Sequence, residues 1–204
     1  MVKVNTLILG PLQTNCYILR EENASSCVVV DPAYAPADIL DFTQRQGLTI
    51  EAIFLTHGHF DHVGAVEALQ KETSCEVWLH KGDYNMRADP MNDYLFPLHD
   101  KALDGIRFCE DGTEISAAGL TFTVLHTPGH SRGSVCYRTE NVLLSGDTLF
   151  AGGCGRTDLP GGDWATILTS LADLSELEDS VKAFPGHGES TTLAQEKRYN
   201  PYMR

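Results

Sequence analysis

Residues 56–62 read Thr-His-Gly-His-Phe-Asp-His, so His57, His59, Asp61 and His62 crowd three imidazoles and a carboxylate into one short stretch. These are the ligand types of zinc and related divalent cations. Groups of this kind packed beside apolar chain need a cation to satisfy them. Three later stretches share one format, an apolar run followed by a turn that carries a metal-binding type. Phe122–Leu125 leads to His126-Thr-Pro-Gly-His130, Val142–Leu144 leads to Ser145-Gly-Asp147, and Val181–Phe184 leads to Pro185-Gly-His187-Gly. Five His and two Asp exceed the roughly four ligands that one zinc takes. Two metals sharing a carboxylate use the set in full.

The elements that must position these residues follow from periodicity. Leu7–Leu9, Cys16–Leu19 and Cys27–Val30 are short β-rich runs separated by turn signals, and Asp31-Pro32 stops the third. Helical spacing over 35–46 ends at Gly47, a C-cap type. Glu51–Leu55 reads as a strand that delivers the chain to the His-rich stretch, and Val63, Val66 and Leu69 predict a helix over about 62–73. Glu76–His80 returns as a strand. Residues 81–105 are irregular, polar and aromatic, and are expected to form a lid or wall over the site. The second half repeats the β pattern at Phe108, Thr121–Leu125, Val135–Arg138 and Val142–Leu144. Helix Trp164–Leu174, strand Val181–Phe184 and helix Leu193–Tyr199 follow. This order fits a sandwich of sheets with helices outside. Strand C-terminal ends then converge on one edge, where loops build sites.

Composition bounds the partners. The chain has 204 residues, 42% hydrophobic and 21% charged, with a formal net charge of −13. That sign argues against a nucleic-acid partner, and no run is long and apolar enough to span a membrane. A small-molecule substrate and a cytoplasmic setting are expected, with no export leader at the Met-Val-Lys-Val start; the charge leaves the oligomeric state open. The six cysteines form no Cys-x-x-Cys pair and are expected to be reduced and mostly buried.

Thr56–His62 resembles the His-x-His-x-Asp-His signature of the metallo-β-lactamase superfamily. Thr127-Pro-Gly-His130-Ser-Arg-Gly133, Gly146-Asp147-Thr-Leu-Phe150 and Gly153-Cys-Gly-Arg156 are similar to the matching motifs of its glyoxalase II branch, in the same order. The resemblance implies an α/β fold, a four-layer αββα sandwich of two mixed sheets, over residues 1–204 as one hydrolase domain. It implies a first metal on His57, His59 and His130 and a second on Asp61, His62 and His187, with Asp147 bridging. Zinc is the expected metal, with iron and manganese as alternatives. Asp61 and Asp147 are the expected catalytic carboxylates. Substrate contacts are expected from Phe60, Tyr84, Tyr94, Phe96 and Arg156.

His80, His99 and His126 fall outside the ligand positions. Asp31 and Asp158 are expected to accept hydrogen bonds from ligand imidazoles. Cys154 reads as packing, since nothing beside it would activate a thiolate. The chemistry implied is attack of a metal-bridging hydroxide on a thioester or ester carbonyl, as in hydroxyacylglutathione hydrolases acting on S-lactoylglutathione. Long glyoxalase II enzymes carry a further C-terminal helical region, whereas this chain ends at Arg204, soon after His187. The short, single-domain type is therefore expected. The alternatives are a mononuclear iron persulfide dioxygenase on His57, His130 and Asp147, and a hydrolase of other esters or lactones. Exported β-lactamases and tRNA-processing members of the superfamily fit the leaderless start and the charge less well.

Overall fold

Val2–Leu9 (β1) and Thr14–Glu21 (β2) pair as an antiparallel hairpin, and Ser26–Val30 (β3) extends it antiparallel to β2. Along β3 the alternation divides two cores: Cys27 and Val29 face one side, Val28 and Val30 the other. A strand apolar on both faces belongs between layers. Helix α1 (Pro36–Arg45), with proline in its first turn, returns the chain to Thr49–Phe54 (β4), which runs parallel to β3. Glu76–His80 (β5) and Ile106–Cys109 (β6) continue the sheet in parallel. The computed structural model describes residues 1–86, 94–95 and 106–203.

The second sheet is built from Glu114–Ala117 (β7), Leu120–His126 (β8), Val135–Thr139 (β9), Val142–Gly146 (β10), Lys182–Pro185 (β13) and Thr191–Thr192 (β14), in the order β14-β13-β10-β9-β8-β7. Between β10 and β13 lie the small hairpin Leu149–Phe150 (β11) and Gly153–Cys154 (β12) and helix α5 (Trp164–Ser175). Only β10 and β13 pair in parallel; their neighbours are antiparallel.

The two sheets close on a shared apolar layer. Phe54 stacks on Tyr137 and meets Phe122 edge-on, each at 4.9 Å between centroids. Ile39 and Leu69, from α1 and from α3 (Val66–Thr73), pack on the outer face of the first sheet. Ile167 and Leu193, from α5 and from α6 (Leu193–Tyr199), cover the second. The expected αββα sandwich of two mixed sheets is the observed architecture.

Three local expectations change. The helix expected over 62–73 is split into α2 (Phe60–Val63) and α3; between them Gly64 lies so close to the Ala33 carbonyl that a side chain there would collide with it. The irregular segment begins as a helix, α4 (Lys81–Met86); beyond it only Tyr94 and Leu95 are described before β6. Strands β7, β11, β12 and β14 are short and lack the apolar runs that marked the others. All six cysteines are free, five of them buried. Among the described residues no helix is long and apolar enough to cross a membrane.

Candidate metal centre

Strands β3, β4, β8, β10 and β13 all end at one edge of the sandwich, and each hands the chain to a loop that carries a site residue. The edge is locked across the sheets: Tyr137 Oη donates to the Leu55 carbonyl at 3.0 Å, and Val135 N–H donates to the Thr56 carbonyl at 2.8 Å.

Among the described residues, three triples place their ligand atoms within 4.8 Å of one another. They are His57/His59/His130, His57/His62/Asp147 and Asp61/His62/His187. Asp147 joins them: its Oδ1 lies 3.5 Å from His62 Nε2, and its Oδ2 lies 3.6 Å from both His130 Nε2 and His187 Nε2. His59 Nδ1 and His130 Nε2 approach to 2.9 Å.

The outer contacts explain why these nitrogens face inward. His57 Nδ1 meets Thr56 Oγ1 at 3.0 Å, and His62 Nδ1 meets Asp31 Oδ2 at 3.0 Å. His130 Nδ1 is 2.7 Å from the Arg156 carbonyl, and His187 Nδ1 is 3.1 Å from the Leu12 carbonyl. Four rings are thus turned by an acceptor at Nδ1, which leaves Nε2 aimed at the centre. Asp31 also accepts from Thr56 N–H at 2.8 Å and Thr56 Oγ1 at 2.7 Å, and its left-handed backbone (φ 50°) is a conformation aspartate tolerates.

Two ordering contacts had no sequence signal that singled them out. Asp83, on α4, accepts from Gly58 N–H at 2.8 Å, Gly133 N–H at 2.6 Å and Ser131 Oγ at 2.7 Å. It therefore clamps the His57/His59 loop to the His130 loop. It lies just past the end of strand β5, in the first turn of α4, and an acidic residue so near a strand end is what could have flagged it. Asn15 ties down the His187 loop, donating from Nδ2 to the carbonyls of Pro185 and Gly188, each at 2.9 Å.

The electrostatics suit a cation. Burial, then the neighbouring imidazoles, pushes His57 well below the usual histidine range and His59 down to about 3. Burial also works against charge on His62, but the carboxylates of Asp147 and Asp31 outweigh it and raise His62 to about 9. For Asp61, burial is overcome by the hydrogen bond from His187 and the charge of His62, which hold it at about 2. His57 Nε2, His62 Nε2 and Asp147 Oδ1 are buried with no hydrogen-bond partner among the described residues. Buried polar atoms left this way are costly, and here they surround one point. The donor set and these orphaned atoms fit divalent metal ions.

The remaining expected residues divide. Phe60, Cys154 and Arg156 line the cavity over the centre, together with Leu12, Leu95 and Phe150. Tyr94 stacks near Phe60, centroids 5.2 Å apart. Tyr84 does not reach the site: its ring packs edge-on against Phe108 at 4.8 Å, because α4 turns it onto the helix-side core. Phe96 and His99 lie outside the described residues. Among the described residues Asp158 makes no hydrogen bond to an imidazole; its carboxylate is engaged by Arg156 at 2.6 and 2.7 Å on the surface. Asp31 holds His62 as expected. His126 stacks on His80 at 4.2 Å, away from the ligands. Burial raises the Cys154 thiol, so it is a poor nucleophile.

An αββα sandwich with a His/Asp cluster at one sheet edge defines a class, the metal-dependent hydrolases of this fold. The chain belongs to the metallo-β-lactamase superfamily, whose family model matches residues 9–187. It is 33% identical over 209 residues to the hydroxyacylglutathione hydrolase GloC of Haemophilus influenzae, covering 99% of this chain and 98% of that one. Two crystal structures superpose closely, each at 38% identity. The BLEG-1 B3 metallo-β-lactamase gives a TM-score of 0.86 over 100% of this chain and 99% of its own. A protein in a di-iron-bound form gives 0.83 over 98% and 100%.

Proposed function

We propose that this protein is a binuclear metal-dependent hydrolase of thioesters or related esters. The observation that carries it is Asp147, one carboxylate facing His62, His130 and His187 at 3.5–3.6 Å and so adjoining both ligand triples. His57, His59 and His130 would hold one ion; Asp61, His62 and His187 the other; Asp147 both. Two divalent cations supply Lewis acidity and lower the pKa of water towards about 7. Asp61, held at about 2, is ionised throughout the neutral range and keeps its charge toward the centre. Asp31 and the Arg156 carbonyl fix the rings of His62 and His130, and Asp83 keeps the two loops in register. Phe60 and Phe150 wall the cavity on the substrate side. In the overall reaction water adds its oxygen to the acyl carbon, the C–S bond breaks, and a carboxylate and a thiol leave.

A mononuclear iron oxygenase on His57, His130 and Asp147 would give Asp61, His62 and His187 nothing to do. β-Lactam hydrolysis is a second reading, favoured by the close superposition on the B3 enzyme. The test is a metal count on the purified protein with three parallel assays: S-D-lactoylglutathione and simple acyl thioesters, nitrocefin, and oxygen uptake with glutathione persulfide. Two ions per chain with thioester cleavage is the expected result. One iron with oxygen consumption, or turnover of nitrocefin alone, overturns it.

A further inference from the structure

Past Leu12, Phe60 and Asp61 the cavity over the metal ligands continues into a second one of about 500 Å³. Its walls are the β1–β2 turn, the Ala33-Tyr34 stretch after β3, Phe60 and Tyr94. Asp61 is the only charged side chain lining it among the described residues, and that carboxylate is turned to His187 at 3.4 Å. Large apolar groups sit unprotected at its rim: Leu12 is 53% exposed, Tyr34 60% and Tyr94 75%. Clustered exposure of this kind marks a ligand groove more often than a chance surface, and the volume lies within the roughly 300–1,000 Å³ of small-molecule sites.

The groove is tied to the catalytic edge. The Leu12 carbonyl holds His187 Nδ1, and Phe60 N–H donates to the Leu95 carbonyl at 2.8 Å, beside Tyr94. Among the described residues, cations for an anionic carrier are scarce at the cavity. Arg156 is the one arginine or lysine lining the metal cavity among the described residues, and Asp158 already takes its guanidinium. Among the described residues lining the metal cavity, the two carboxylates of glutathione meet one arginine and no lysine.

We infer that the second cavity binds an apolar acyl or alkyl arm, so that the substrates are thioesters or esters with a medium-length aliphatic or aryl group. This rests on the hydrolase reading above and narrows it. The binding arm of the test does not need turnover. The metal-loaded full chain is titrated calorimetrically with S-propyl, S-hexyl and S-octyl thioethers of N-acetylcysteamine, which cannot be hydrolysed. Affinity should rise about fourfold per added CH₂. Tyr34→Ser should flatten the series to under twofold per CH₂ with metal content unchanged, and Tyr34→Phe should restore it. A flat wild-type series, or a slope that Tyr34→Ser leaves intact, overturns the inference. The matching acyl thioesters are assayed in parallel. Graded thioether binding without cleavage of any thioester would sink the hydrolase reading while upholding the apolar site.

Discussion

Asp147 is the residue on which the two triples meet, and its Oδ1 is buried without a hydrogen bond among the described residues. Asp147→Ala should therefore leave at most one ion per chain after gel filtration, read by elemental analysis, and lower hydrolysis by more than the ~10–100-fold that loss of an outer contact costs. Asp31→Ala removes the acceptor that holds His62 and, through Thr56, steadies His57, and should weaken metal binding by about 10–100-fold, the Asp61/His62/His187 ion most. Retention of both ions in Asp147→Ala would remove its joining role. The two triples also differ in protonation. Without metal, His62 keeps its proton up to about pH 9, whereas His59 has lost its own above about 3. A cation at Asp61/His62/His187 must displace protons, so its affinity falls as pH drops below 9; at the other triple His57 and His59 are already free of protons. Dialysis at pH 5.5 should strip about one ion per chain and leave the other, and binding at pH 7 should release protons in calorimetry across buffers. Equal loss of both ions would contradict this asymmetry.

At the scale of elements, the site exists because five strand ends meet at one edge and a few backbone contacts hold the loops there. Asp83 is the clearest. Removing its carboxylate strands the amides of Gly58 and Gly133, each a buried donor worth about 1–3 kcal/mol when unmatched. Asp83→Ala should lower stability by about 3 kcal/mol in urea unfolding and weaken the His57/His59/His130 ion. Gly186 acts at the other ligand loop: a Cβ there would run into Asp147 Oδ1 and the His62 ring. Gly186→Ala should fold, since the strand before it is unchanged, but bind less metal; unaltered metal affinity would show that the loop yields. The residues that cluster at the edge were legible in the sequence because His, Asp and their strand-then-turn format are local. So were the long strands and α1, α5 and α6, whose apolar periods follow burial on one or two faces. The small strands were not, since Thr191–Thr192 or Gly153–Cys154 gain their pairing from partners far along the chain. Tyr84 misled for a similar reason. Its segment looked irregular, yet Lys81–Met86 is a helix that turns the ring onto Phe108. Asp83, three residues after β5, carried the right chemistry, but what it binds lies 25 and 50 residues away.

For the whole molecule, an acidic chain of net charge −13 concentrates five of its eight histidines and two carboxylates at one edge of two tightly packed sheets. The cores on either side of the sheets do not depend on that edge. The fold is therefore expected to survive metal removal, while the edge itself, with its orphaned Nε2 and Oδ1 atoms, loses what satisfies it. A ligand that binds only the folded state adds about 2.7 kcal/mol at a hundredfold excess over its Kd. For a chain of this size each kcal/mol moves Tm by about 2–4 °C. Thermal unfolding with excess Zn²⁺ should then lie roughly 5–10 °C above that with a chelator. The shift should shrink in Asp147→Ala and persist in Tyr34→Ser, because the first variant removes a ligand and the second only a wall of the apolar groove. A chelator that unfolds the protein outright would instead mean that the two cores cannot stand without the edge, and a Tm indifferent to metal would mean that the cluster does not hold one.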